Sequence, residues 1–212
     1  MIGVIVYEGV EPIDVGGTVG VISMATRILP ELRYSVIAER KGPVRLASGL
    51  TILADSDFES APDCDTFIVT GGPGWVEQVR NPAMLDFLAR RSPSALASVC
   101  TGALILAASG RLAKTTATTR RHAVGSETQA PIDILTGGGR VRATHPAAIV
   151  DDHGTITSGG VSLAIDGTLY ILGRLYGNAI RDQIATTIEY DRAFAANREA
   201  LGHIRSRDVL PD

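Results

Sequence analysis

The chain has 212 residues, 45% of them apolar and 20% charged, a length that suits one compact domain with a sizeable core better than two small ones. Its 20 basic and 23 acidic side chains leave a formal charge of −3, so the Lys/Arg excess of a nucleic-acid-binding surface is absent. Two cysteines, Cys64 and Cys100, lie far apart without Cys or His neighbours at metal-ligand spacing, which argues against a disulfide scaffold and a zinc site and fits a reducing, cytoplasmic compartment.

Met1 to Tyr7 lacks the basic region of a secretory signal and reads as a first strand, Ile2 to Tyr7. Val15 to Ile28 carries apolar residues at helical spacing (Val15, Val19, Ile22, Ala25). Arg33 to Ala38 reads as a second strand and Pro43 to Leu53 as an extended or hairpin region around Ser48-Gly49. Thr66 to Thr70 is a short apolar strand closed by Gly71-Gly72-Pro73-Gly74, with a helical pattern following through Met84, Leu85 and Leu88. Ser92 to Gly110 is free of charge, but Pro93 and Gly102 interrupt it, so it reads as a buried strand, Ala95 to Val99, and a buried helix, Ala103 to Ala108, and no membrane partner is expected.

Farther on, Thr115 to Thr119 is β-prone, and Ala148 to Ser158 reads as a hairpin turning at Asp152-His153-Gly154. Val161 to Leu175 and Ala179 to Tyr190 read as two closing helices, and residues 191–212 as a last helix or arm packed on the same domain, 1–190. Short, nearly continuous apolar strands alternating with helices predict an α/β fold, a single-domain three-layer sandwich with a mostly parallel, flavodoxin-like central sheet. Ligands of such sheets sit at the carboxyl ends of the strands.

Cys100 stands at one of those ends. Ser98-Val99-Cys100-Thr101-Gly102 places a thiol between a strand and a helix, the setting of a nucleophile elbow, where helix N–H groups point at the side chain. Such a terminus is expected to depress the thiol pKa and make Cys100 the reactive cysteine; the bland alternative is a small apolar side chain closing the core. Asp14 follows the first strand in Glu11-Pro12-Ile13-Asp14 and reads either as a helix N-cap or as an acid/base brought beside the thiol. Gly71-Gly72-Pro73-Gly74 ends another strand and could supply an oxyanion hole together with the Thr101 N–H. Cys64 lies between Asp63 and Asp65, whose charges disfavour thiolate, and Asp151-Asp152-His153 is explained by a hairpin turn without a metal. Arg120, after the β-prone run, points to solvent, pairs with a helix acid, or lies by the pocket, where its charge would favour thiolate and select substrates with a carboxylate or phosphate.

Over Ile2 to about Tyr190 the sequence resembles the ThiJ/PfpI superfamily, of class I glutamine-amidotransferase-like fold, and within it the isocyanide hydratases. Four segments carry the resemblance: Val10-Glu11-Pro12-Ile13-Asp14-Val15, Val69-Thr70-Gly71-Gly72-Pro73-Gly74, Ser98-Val99-Cys100-Thr101-Gly102, and Ser158-Gly159-Gly160-Val161 leading to Ala164-Ile165-Asp166; Ile188-Glu189-Tyr190 adds a fifth, short one. The resemblance implies a Cys100 nucleophile, Asp14 as adjacent acid or base, Thr101 beside them, and backbone donors at Gly72 and Thr101; Gly71, Arg120, Gly160 and Val161 are the candidates for contact with substrate. It further implies a cofactor-free hydratase or lyase on a small electrophile, an isocyanide first, working as a homodimer. Glyoxalase-like or deglycase chemistry on reactive carbonyls is one alternative. A non-catalytic redox or ligand sensor, akin to the amino-terminal half of AraC-type regulators, is another. Thr101 stands where the protease-like branch has histidine, and Arg120-Arg121 where hydratase-like members tend to have histidine and an aromatic.

Overall fold

The computed structural model describes residues 1–206. Its first half runs β1 (Ile2–Ile5), α1 (Pro12–Ala25), β2 (Tyr34–Ala38), β3 (Gly42–Arg45), β4 (Thr51–Ala54), β5 (Ser56–Asp57), β6 (Thr66–Val69), α2 (Trp75–Gln78), α3 (Pro82–Ala89), β7 (Leu96–Ser98) and α4 (Gly102–Ala108). The second half runs β8 (Thr116–Ala117), α5 (Pro131–Gly137), β9 (Ala143–Thr144), β10 (Ile149–Asp152), β11 (Thr155–Ser158), α6 (Leu163–Tyr176), α7 (Asn178–Thr187), α8 (Asp191–Leu201) and β12 (His203–Arg205).

Eight strands form one sheet in the order β12-β10-β11-β7-β6-β1-β2-β5. Neighbours pair parallel except β10 with β11. Every residue of β1, β6, β7, β10 and β11 is buried. Successive strand residues point to opposite faces, so both faces must be covered, which is what the uninterrupted apolar runs required. One cover is built from α1, α6 and α7 packed on one another, the other from α4 with α2, α3 and α5 around it.

Register then fixes the rim. Ile5 lies opposite Val69, Val69 opposite Ser98, and Ser98 opposite Thr157. Two residues beyond these positions, Tyr7, Gly71, Cys100 and Gly159 leave the sheet side by side at the carboxyl ends of β1, β6, β7 and β11.

Two local readings need correction. The first helix begins at Pro12, whose fixed φ suits the opening turn, and its N-cap is Glu11. Asp14 therefore lies inside the first turn and caps nothing. Thr115 to Thr119 yields only β8, which pairs with β9 in a small sheet of its own because the remaining threonines are held by other partners: Thr118 N–H donates to Thr157 Oγ1 at 2.9 Å and Thr118 Oγ1 to Ala147 O at 3.1 Å. The region around Ser48-Gly49 is the hairpin its sequence allows, β3 paired with β4 apart from the main sheet. The chain after Asp191 forms the last helix its sequence allows, α8 packed on α7, and then β12, which joins the main sheet beside β10; residues 207–212 of the expected tail lie outside the described residues.

The hairpin at 152–154 forms as read, with His153 at φ 52° and Gly154 at φ 91° in the left-handed region a two-residue turn requires. Its carboxylates are engaged in the fold. Asp151 accepts from Tyr170 Oη at 2.8 Å and pairs with Arg174, while Asp152 accepts the Thr116 N–H at 2.6 Å. No helix among the described residues is long and apolar enough to cross a membrane.

Candidate active site

Cys100 sits at the sharp turn between β7 and α4 with φ 53°, the left-handed conformation an elbow imposes on a non-glycine residue. Both of its backbone polar groups are tied down. Its N–H donates to Gly159 O at 3.1 Å, and its carbonyl accepts from Thr119 Oγ1 at 2.6 Å. The side chain is 3% exposed.

Asp14 reaches the same point from the first turn of α1. It is fully buried, and its Oδ2 accepts the Gly71 N–H at 3.0 Å. A Cβ on Gly71 would meet Cys100 Cβ at 2.6 Å, Thr101 N at 2.6 Å and Asp14 Oδ2 at 2.7 Å, so a residue without one is the only way to bring carboxyl and thiol together here. Asp14 Oδ1 is buried with no hydrogen-bond partner. Burial pushes the Asp14 carboxyl up to about 7, although bonds to the Cys100 thiol and the Gly71 N–H pull the other way.

The thiol is not depressed, contrary to expectation. Burial, and then the adjacent Asp14 charge, push it up to about 12, outweighing the N–H groups of Thr101 and Val161 that hydrogen-bond the sulfur and the charge of Arg120. At rest the pair thus holds its proton on sulfur, with the carboxyl poised near neutrality. Cys64 is half-buried beside Pro62, and its thiol is raised by burial more than by its acidic neighbours.

The expected donors divide unevenly. Gly72 has its N–H occupied by Thr101 Oγ1 at 2.9 Å, so this amide is committed to holding the glycine turn against the elbow. The Gly71 N–H is committed to Asp14. Thr101 and Val161 are the amides that reach the sulfur. Val161 does so from φ 62°, a strained conformation for a β-branched residue. Gly160, just before it, lets the Arg120 stem pass: a Cβ there would lie 2.6 Å from Arg120 Cβ and Cγ.

Arg120 lies in the site. Its guanidinium donates to His122 O at 2.5 Å and pairs with Glu127 Oε1 at 2.5 Å, and its charge pulls the Cys100 thiol down. The charge expected to attract an anion therefore already has a carboxylate partner.

The model of the DJ-1/PfpI family matches residues 1–172. The chain belongs to the DJ-1/PfpI family. Among curated proteins it is 28% identical over 191 residues to the isonitrile hydratase of Pseudomonas putida, covering 89% of this chain and 78% of the relative. It is 36% identical over 119 residues to an uncharacterized protein in the cpoL 5' region of Streptomyces lividans, covering 55% of this chain and 84% of that one. A ThiJ/PfpI family protein from Pseudomonas syringae has a TM-score of 0.76 at 27% identity, covering 90% of this chain and 74% of its own. Drosophila melanogaster DJ-1beta shares the fold at a TM-score of 0.74 and 18% identity, covering 89% and 96%.

Three residues of this DJ-1/PfpI site are missed by sequence reasoning. Tyr7 is buried beside the pair and donates to Thr70 O at 3.0 Å; burial first, then the charges of Cys100 and Asp14, raise its hydroxyl well above the ordinary range. A polar aromatic ending an apolar strand was the available signal. Thr119 holds the elbow carbonyl, and only its place in a paired threonine marked it. Glu127 carried no signal at all, because nothing in a polar loop says which cation its carboxylate will meet.

Proposed function

We propose that the protein is a cysteine-dependent hydratase that adds water to an isocyanide, R–N≡C, to give the formamide R–NH–CHO. The observation that carries this reading is one thiol and one carboxyl, both buried and both meeting at Gly71. Such an arrangement suits a nucleophile whose proton must be moved over a short distance and returned.

In the proposed reaction, ionised Asp14 accepts the thiol proton as the Cys100 sulfur bonds to the terminal isocyanide carbon. The N–H groups of Thr101 and Val161 and the Arg120 guanidinium stabilise charge developing on sulfur. Asp14 then delivers the proton to that carbon, giving a thioimidate, R–N=CH–S–Cys100. Water adds to the thioimidate carbon, one proton passes to nitrogen, the C–S bond breaks, and the thiol regains its proton as the formamide leaves. Water is the sole co-reactant and the electron count is unchanged.

Support for isocyanide over other small electrophiles comes from the relative named isonitrile hydratase, aligned over 89% of this chain. The test is incubation of the purified protein with alkyl and aryl isocyanides, with formamide followed by chromatography. Product is expected from the wild type and none above background from Cys100→Ser. No formamide from any isocyanide would overturn the reading.

A further inference from the structure

A compensated charge lies near Cys100. A cleft of about 390 Å³ runs beside the site, with Pro73, Trp75, Val76, Pro131 and Ile134 giving it apolar walls and Glu127 among its polar lining. Pro73 follows Gly71-Gly72, of which Gly71 abuts Cys100, and Glu127 in the cleft wall pairs with Arg120, whose charge acts on the Cys100 thiol. The Arg120 side chain is 11% exposed and Glu127 31%. Their stems and heads are fixed at both ends: Arg120 lies over Gly160 and donates to His122 O, and Glu127 Oε2 accepts the Val124 N–H at 2.8 Å.

From this geometry we infer that Glu127 is a specificity-determining residue that neutralises Arg120 and so restricts the site to uncharged electrophiles with an apolar arm lying in the adjoining cleft. This rests on the reading of Cys100 as the nucleophile and narrows its substrate class. A guanidinium alone beside the thiol would draw in a carboxylate or phosphate. With Glu127 2.5 Å away, an incoming anion must either displace that carboxylate or lie against it, and a partly buried like-charge contact is costly. A neutral molecule meets neither obstacle.

The charge preference can be read without turnover. Iodoacetamide and iodoacetate alkylate the same thiolate by displacing iodide and differ chiefly in charge, so their rate ratio at Cys100, normalised to free cysteine and scored on the Cys100 peptide by mass spectrometry, cancels any change in thiol ionisation. The wild type is expected to favour iodoacetamide. Glu127→Gln should shift the ratio toward iodoacetate by roughly 10-fold or more, Arg120→Gln should shift it the other way by leaving Glu127 uncompensated, and the double variant should lie near the wild type. Equal ratios in all four proteins, or shifts of one sign in both single variants, would overturn the inference. Failure of either reagent to reach Cys100 would overturn it too, because the pair would then border no open path. Absence of formamide from every isocyanide would instead refute the hydratase reading while leaving these ratios standing, so the two failures are separable.

Discussion

The Gly71 N–H donates to Asp14 Oδ2 at 3.0 Å, and this bond between the end of β6 and the first turn of α1 holds a carboxyl against the Cys100 thiol. It leaves the other carboxyl oxygen buried and unpartnered. That asymmetry gives Asp14 both a fixed orientation and a place for a proton.

Asp14→Asn should therefore separate activity from stability. Turnover is expected to fall by ~10² or more, the scale of a lost proton transfer. The native carboxyl holds its proton up to about pH 7 while the unfolded chain releases it near pH 4, so the native state binds the more protons in between and stability falls as pH rises through that window. Asparagine cannot ionise and escapes this loss. Thermal melts at pH 8 should show the variant at least as stable as the wild type, by up to a few kcal/mol, with the gap closing toward pH 4. A wild type whose melting temperature is the higher at pH 8 would count against a raised Asp14.

Cys100 itself should become easier to alkylate in the same variant. Asp14 charge is one of the two causes holding the thiol up, so its removal lets the Thr101 and Val161 N–H groups and Arg120 draw the thiol down. Iodoacetamide rates at pH 8, measured on the Cys100 peptide, should rise in Asp14→Asn although turnover is lost. A slower reaction would show that the carboxyl acts as a resting base rather than as an opposing charge.

Gly71→Ala should be damaging in both respects. The added methyl group meets Cys100, Thr101 and Asp14 at 2.6 to 2.7 Å, too close for any of them, and two of the three are backbone or elbow atoms with no room to yield. Overpacking of this kind costs about 1–3 kcal/mol. A drop in melting temperature with loss of turnover larger than the stability loss explains is the expected result. Chemical denaturation alongside single-turnover kinetics checks both.

At the far side of α6 the prediction concerns Tyr190→Phe. Asp166 is fully buried and accepts from Tyr190 Oη at 2.8 Å and Asn197 Nδ2 at 3.1 Å, which ties α6 to α8. Burial raises this carboxyl to about 6, and the two donors limit the rise. Without the phenol the ionised form loses a donor, so the variant should be destabilised by about 1–3 kcal/mol at pH 8 and by less at pH 5, where the wild-type carboxyl is largely protonated. Equal destabilisation at both values would place the effect in packing alone.

The sequence by itself determined the strands and the elbow. Runs such as Thr66 to Thr70 and Ala95 to Val99 have to be buried on both faces, and a thiol between strand and helix has to lie at the carboxyl rim, because period and burial are local properties of the chain. Asp14 was found for the same reason, although its helix begins three residues earlier than the apolar spacing indicates, since Pro12 opens it. Which groups meet was decided only by tertiary structure. The levels of Ile5, Val69 and Ser98 across three parallel strands bring Tyr7, Gly71 and Cys100 to one rim, and no pattern within a single strand encodes that register. The sign of the thiol shift reversed because burial and the Asp14 charge, both properties of the assembled site, outweigh the helix amides that the motif makes visible. For Arg120 the sequence left solvent, an acid partner and the pocket open, and the carboxylate it meets is Glu127, which reaches it through a loop whose path depends on long-range packing rather than on the residues in between.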